Sequence, residues 1–180
     1  FDTSYSNHKG EAESFLGDYH EAHSSDTCLI ATSFFELVDP RYTYVFQKQL
    51  KKLRTDKIDF YSLEGVCDLN KMRDIDSGAV DFLFEQREAG HIGCLGFSSE
   101  LSPDNLRDFI GRYPWDFVRM KVNYYDWFNK DGRARCARSM RKSTAGGIVN
   151  SLTSTHVACD CHGSLTRFCR HAAGLSHQRQ

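Results

Sequence analysis

DPRYTYVFQKQLKKLRTDKIDFYSL, residues 39–63, reads as one helix followed directly by one strand. Asp39-Pro40 has the form of an N-cap followed by proline at the first helical position, where a missing N–H costs nothing. Tyr42, Phe46, Leu50 and Leu53 then recur at helical spacing and predict one buried face. The period changes at Ile58, where IDFYSL to Leu63 has the length and β-branched or aromatic content of a strand.

The same alternation extends in both directions. Upstream, Ala12, Phe15, Leu16 and Tyr19 predict an apolar stripe on a helix after Gly10, and Cys28–Phe35 (CLIATSFF) predicts a buried strand. Downstream, Ser77 is expected to cap a helix carrying Val80, Leu83 and Phe84 and closed by Gly90. Ile92–Ser98 is the next strand. Ser102-Pro103 repeats the cap-then-proline signal ahead of Leu106, Phe109, Ile110 and Tyr113, and Phe117–Tyr125 is a fourth strand. Helix and strand alternate about every 30 residues, the signature of a parallel sheet covered by helices, so the fold class is α/β.

Two architectures meet this pattern, an open doubly wound sheet and a closed eight-stranded barrel. The dinucleotide fingerprint of the open sheet is absent: Gly90, Gly93 and Gly96 have the wrong spacing and do not open a helix. In a barrel the reactive side chains stand at the C-terminal ends of strands. Those ends fall at Ser33, Glu64, Ser98 and Asn123.

Composition narrows the function. The chain has 180 residues, 23 basic against 24 acidic side chains, and 40% apolar content, an ordinary globular balance. A net charge of -1 gives no overall drive toward nucleic acid or anionic lipid, and no apolar run reaches the roughly 18 residues of a membrane span. Neither a nucleic-acid nor a membrane partner is expected. The chain starts at Phe1 with no basic-then-apolar leader and reads as a fragment without a targeting peptide. Seven cysteines, with Cys28, Cys67 and Cys94 set singly in apolar surroundings, fit thiols in a reducing compartment and an expectation of cytoplasmic location. His20 and His23 lack the HExxH spacing and are read as a solvated helix end. Tyr124, Tyr125, Trp127 and Phe128 are read as packing residues rather than a base-stacking platform.

Phe1-Asp2-Thr3-Ser4-Tyr5, Gly10-Glu11-Ala12-Glu13 and Leu16-Gly17 resemble the FDTA-x-x-Y…GxSE…LG region of the aldo/keto reductases. Leu50–Tyr61 is similar to that family's LKRLxTDYIDLY, and Ala89–Ser98 to its GKIRxIGxS. Tyr124–Trp127 resembles its NYxDW segment. These segments lie in family order over about 125 residues. The resemblance implies a (β/α)8 TIM barrel, partial here and covering about strands two to seven, entered near the end of the second strand.

The resemblance also implies a reaction. The family passes hydride from NADPH to a small carbonyl: a tyrosine donates the proton, a lysine and an aspartate tune it, and a histidine orients the carbonyl. On that basis Asp2 and Tyr5 are the matching catalytic pair, and Ser98 is the cofactor-binding residue. Ser33 stands where the family has the lysine, and Glu64 where it has the histidine. Ser99 and Arg119 replace an asparagine and a glutamine associated with the cofactor. With no lysine cation beside it, Tyr5 next to Asp2 is expected to be a poorer acid. Losing a well-placed stabiliser of the oxyanion costs about 10² to 10³ in rate.

Glu64 offers a partial rescue. Two carboxyls converging in a dry barrel mouth do not both ionise, and a neutral Glu64 could donate a hydrogen bond to substrate oxygen. A small branch of the superfamily carries glutamate at this position and reduces conjugated carbon–carbon double bonds, although it keeps the lysine.

Residues 1–130 are thus expected to be the barrel portion and residues 131–180 an irregular tail. The first part holds 15 basic and 22 acidic residues, the second 8 and 2. In the tail, Gly147-Ile148-Val149 is a faint echo of a family strand. Cys159, Cys161, His162, Cys169 and His171, with His156, form a constellation that could hold zinc but fits no standard finger. The favoured reading is an unstructured or frame-shifted tail without a metal. The expected function is NADPH-dependent reduction of a small carbonyl, with NADH also open and activity impaired. The alternative is a non-catalytic barrel that binds a cofactor or partner.

Overall fold

The computed structural model describes residues 1–23, 28–35, 39–66, 78–121 and 146–150. Its helices are α1 (Glu11–Ala22), α2 (Tyr42–Leu53), α3 (Ala79–Glu88) and α4 (Pro103–Arg112); its strands are β1 (Ala31–Phe34), β2 (Ile58–Val66), β3 (Ile92–Ser99), β4 (Phe117–Lys121) and β5 (Gly146–Asn150). The chain divides into two compact units, Phe1–Ser98 and Ser99–Gln180. The expected helix–strand alternation is present, and the fold class is α/β.

In the first unit β1 and β2 run parallel with Ser33 opposite Ser62, and β3 is the next strand beyond β2. The N-terminal residues extend the other edge: Asp2 makes a parallel bridge to Ala31, and Thr3 N–H donates to the Ala31 carbonyl at 2.9 Å. Asp2 thus lies alongside β1 through an isolated bridge. In the second unit β5 pairs parallel with β4, Arg119 opposite Ile148. The Gly147–Val149 echo lies in this strand.

The core of the first unit includes Ile30, Phe34, Val45, Phe46, Leu53, Ile58, Leu63 and Leu83, all nearly inaccessible. Phe46 makes edge contacts with Tyr61 at 5.4 Å and Phe82 at 5.8 Å, so α2 and α3 share one aromatic cluster over the sheet. In the second unit Phe109, Tyr113 and Trp115 form a similar cluster.

Local details correct several expectations. Phe15 is 74% exposed, while Glu13, Leu16 and Gly17 form the buried face of α1. The close approach of α2 sets this rotation: a Cβ on Gly17 would fall inside contact distance of the Lys52 carbonyl oxygen. Gly17→Ala should therefore lower stability by about 2 kcal/mol or more, read as a fall in the urea midpoint. On α2 the buried face is Val45, Phe46, Gln49 and Leu53, with Leu50 half-buried.

The Asp39-Pro40 start is also displaced. Arg41 is the N-cap of α2, and Asp39 instead accepts the Arg41 backbone N–H at 3.1 Å and its guanidinium at 2.9 and 2.8 Å. The N-cap of α3 is Gly78, while Ser77 lies outside the described residues. Ser102 is the N-cap of α4 with Pro103 following, but its hydroxyl makes no capping bond. Gly90 adopts the left-handed conformation expected after α3, with φ of 86°. The predicted strand end at Asn123 and the aromatics Tyr124–Phe128 also fall outside the described residues, as do Cys67 and the tail Cys/His constellation.

The Asp39–Arg41 pair has a pH signature. The side-chain hydrogen bond from Arg41, followed by its backbone N–H, holds the Asp39 carboxyl at about 2 against an ordinary 3.8. Because the folded value is depressed, the contribution to stability is present above about pH 3.8 and is lost as pH falls through about 2. A carboxyl NMR titration should find that midpoint, and Arg41→Gln should return it toward the ordinary value.

Candidate active site

Strand pleat decides which candidates meet. Thr32 on β1 and Tyr61 on β2 are register partners, and both turn toward the helices: Thr32 Oγ1 donates to Glu13 at 2.8 Å and Tyr61 Oη donates to Gln49 at 2.6 Å. Successive side chains alternate between faces. Ser33, Ser62 and Glu64 consequently lie on the face away from the helices, and Asp2 joins them through its pairing with Ala31. Three of the candidate positions thus share one sheet face.

At position 33 this face carries a serine where the resemblance implies a lysine. Ser33 is 1% exposed, and its hydroxyl and that of its neighbour Ser62 are buried without hydrogen-bond partners. Asp2 is exposed and Glu64 half-buried, so the expected dry convergence of two carboxyls is not formed here. Ser98 is half-buried near the C-terminal end of β3. The neighbouring Ser99 Oγ is engaged, accepting the Leu101 N–H at 3.1 Å.

Tyr5 has a different setting. Lys48 Nζ from α2 donates to Tyr5 Oη at 3.4 Å, and the ammonium groups of Lys48 and Lys52 lie 5.5 and 5.6 Å from its ring centre. The expectation that no cation neighbours this phenol is overturned. Hydrogen bonding to Tyr5, ahead of charge interactions with the same ring, raises Lys48 above its ordinary value. This cation comes from the helix layer, however, and leaves Ser33 and Glu64 as they were. In the pattern FDTA-x-x-Y the tyrosine stands five residues after the aspartate, a position held here by Asn7. Tyr5 comes two residues early. Asn7 is exposed and opens the short 3-10 turn Asn7–Gly10.

Behind the sheet face lies a polar network that periodicity misses. Glu13 and Gln49 are both 0% exposed. Gln49 Nε2 donates to Glu13 Oε1 at 2.7 Å and reaches the Ser33 carbonyl oxygen at 3.0 Å. Burial, then the charge of Glu13, pushes the Tyr61 hydroxyl well above its ordinary value. These side chains tie α1, β1, α2 and β2 together directly beneath Ser33. The capping-box-like GEAE run was the available signal for Glu13.

His23 is engaged at the end of α1, its Nδ1 lying 3.0 Å from the Tyr19 carbonyl and its ring stacked on Tyr19. Among the described residues no group of His, Cys, Asp and Glu is arranged to hold a metal ion. No helix among them is long and apolar enough to cross a membrane. Cys28 and Cys94 are thiols outside any disulfide, half-buried and buried.

Comparison with solved structures gives the class of this fold. The aldo-keto reductase AKR11C1 from Bacillus halodurans, in its holo form, superposes with a TM-score of 0.57 at 21% identity, covering 82% of this chain and 50% of that one. An aldo-keto reductase from Pseudomonas aeruginosa gives 0.63 at 18% identity, covering 82% and 58%. The glycerol dehydrogenase AKR11B4 from Gluconobacter oxydans gives 0.62 at 18%, covering 82% and 47%. No family model and no curated protein sequence matches the chain. The chain has the fold of part of an aldo-keto reductase (β/α)8 barrel and spans about half the length of the solved structures it matches.

Proposed function

We propose that this chain is part of an aldo/keto reductase-type oxidoreductase that binds a nicotinamide dinucleotide and whose carbonyl reduction is impaired. The observation that carries the reading is Ser33, a buried, unpartnered hydroxyl on the face shared with Asp2 and Glu64. Hydride addition places negative charge on the carbonyl oxygen, and a serine there brings no charge to meet it. In this reading the substrate is a small aldehyde or ketone, the cofactor is NADPH with NADH also admitted, and the compartment is the cytoplasm.

The residues present accommodate the cofactor in one respect. Ser98, half-buried near a strand end, offers a hydroxyl suited to hold the carboxamide of a nicotinamide ring. When bound, the dinucleotide supplies the hydride. Asp2 and Glu64 set the charge around the acceptor carbon. Tyr5 remains the proposed proton donor, held in place by Lys48.

A second reading, a barrel portion that binds a cofactor or partner without turnover, is favoured by one specific observation. Tyr5 is tied to α2, whereas Ser33 and Glu64 occupy the opposite sheet face. NADPH fluorescence titration of the purified chain tests what both readings share in cofactor binding. Saturable enhancement that Ser98→Ala weakens is expected. Absence of binding removes the oxidoreductase reading for this chain.

A further inference from the structure

The outer faces of α1 and α2 enclose a groove of about 680 Å³ lined by Ser14, Tyr44, Gln47, Lys48, Lys51, Lys52 and Arg54. That volume lies within the range of small-molecule sites. Lys48, Lys51 and Lys52 stand at i, i+3 and i+4 on one helix, where like charges destabilise an isolated helix by a few tenths of a kcal/mol per pair.

The surrounding groups cancel this charge only in part: Asp39 interacts with Lys48, and one surplus carboxylate charge stands at Arg54. Lys48 donates to the neutral Tyr5 hydroxyl and Lys52 to the neutral Gly10 carbonyl. Lys51 is exposed and makes no ion pair among the described residues. The nearby carboxylates are committed elsewhere: Asp18 and Glu21 pair with Arg54, and Asp39 with Arg41. The Arg54 end of the groove, with its two carboxylates, therefore carries a net charge of about -1, and the other end carries the three lysine charges. Tyr44, 48% exposed, supplies an aromatic wall, its ring centre 5.6 Å from the Lys48 ammonium. Ser14 and Gln47 add neutral donors. A cluster of three lysines gathered at an aromatic-walled groove has the composition of an anion site.

We propose that this groove binds a small molecule carrying a diphosphate or triphosphate, with the phosphates on Lys48, Lys51 and Lys52 and an apolar or planar part against Tyr44. The site is built on the helix layer and does not depend on carbonyl chemistry.

Isothermal titration of the whole chain with inorganic pyrophosphate tests it. One-to-one binding that weakens as salt rises is expected. Lys51→Gln should weaken it about tenfold or more, Lys51→Arg should restore it, and Lys57→Gln, an exposed lysine outside the groove, should leave it unchanged. Because the Lys51 side chain is exposed and makes no bond among the described residues, its loss does not threaten folding. Absence of saturable binding, indifference to Lys51→Gln, or an equal effect of Lys57→Gln overturns the proposal. Tight binding of an acidic peptide or anionic vesicles without pyrophosphate binding also overturns it.

Discussion

Replacing Ser33 by lysine together with Glu64 by histidine should raise NADPH-dependent reduction of a small aldehyde by about 10² to 10³. The register makes the expectation specific. A lysine at position 33 enters beside the orphaned Ser62 hydroxyl, on the same face as position 64, and its ammonium would meet developing negative charge that the serine hydroxyl cannot match. The gain should appear in kcat rather than KM, because charge on the carbonyl oxygen is a property of the transition state. Adding Asn7→Tyr separates two versions of the site. If the double variant suffices, Tyr5 donates the proton; if only the triple variant turns over, the donor position is 7.

Glu13→Ala should destabilise the chain by about 3 kcal/mol, through loss of an acceptor for two buried donors and through the cavity left behind. Thr32 Oγ1 and Gln49 Nε2 both donate to Glu13 Oε1, at 2.8 and 2.7 Å, and neither can turn to water. Glu13→Gln keeps an acceptor oxygen and should cost about 1 kcal/mol. Urea denaturation separates the two. A loss below about 0.5 kcal/mol for the alanine variant would show that the network does not hold α1 and α2 to the sheet. Because Gln49 also reaches the Ser33 carbonyl, Glu13→Ala should blunt any activity gained in the Ser33→Lys background.

The elements were legible because apolar periodicity and turn residues act locally. Gly90 closed its helix and Ile58 opened its strand where the pattern placed them. Helix rotation was not legible: Phe15 scores as core in a hydrophobic pattern, but the backbone contact at Gly17 turned a different face inward. Glu13 and Gln49 read as surface residues until the partners that satisfy them are seen 36 residues apart in the chain. The approach of Lys48 to Tyr5 spans 43 residues and carries no motif. For the site, the family pattern marked Asp2, Ser33 and Glu64 one by one, and it is the strand register that brings them to one face, through the alternation of in and out positions. It could not anticipate that α2 would supply a cation to Tyr5.

The most direct test is NADPH consumption at 340 nm by the purified chain with saturating small aldehydes. The account predicts cofactor binding with a rate at least about 10²-fold below the typical enzyme turnover of about 10 s⁻¹. Turnover at that ordinary rate, with Ser33 and Glu64 in place, would contradict it.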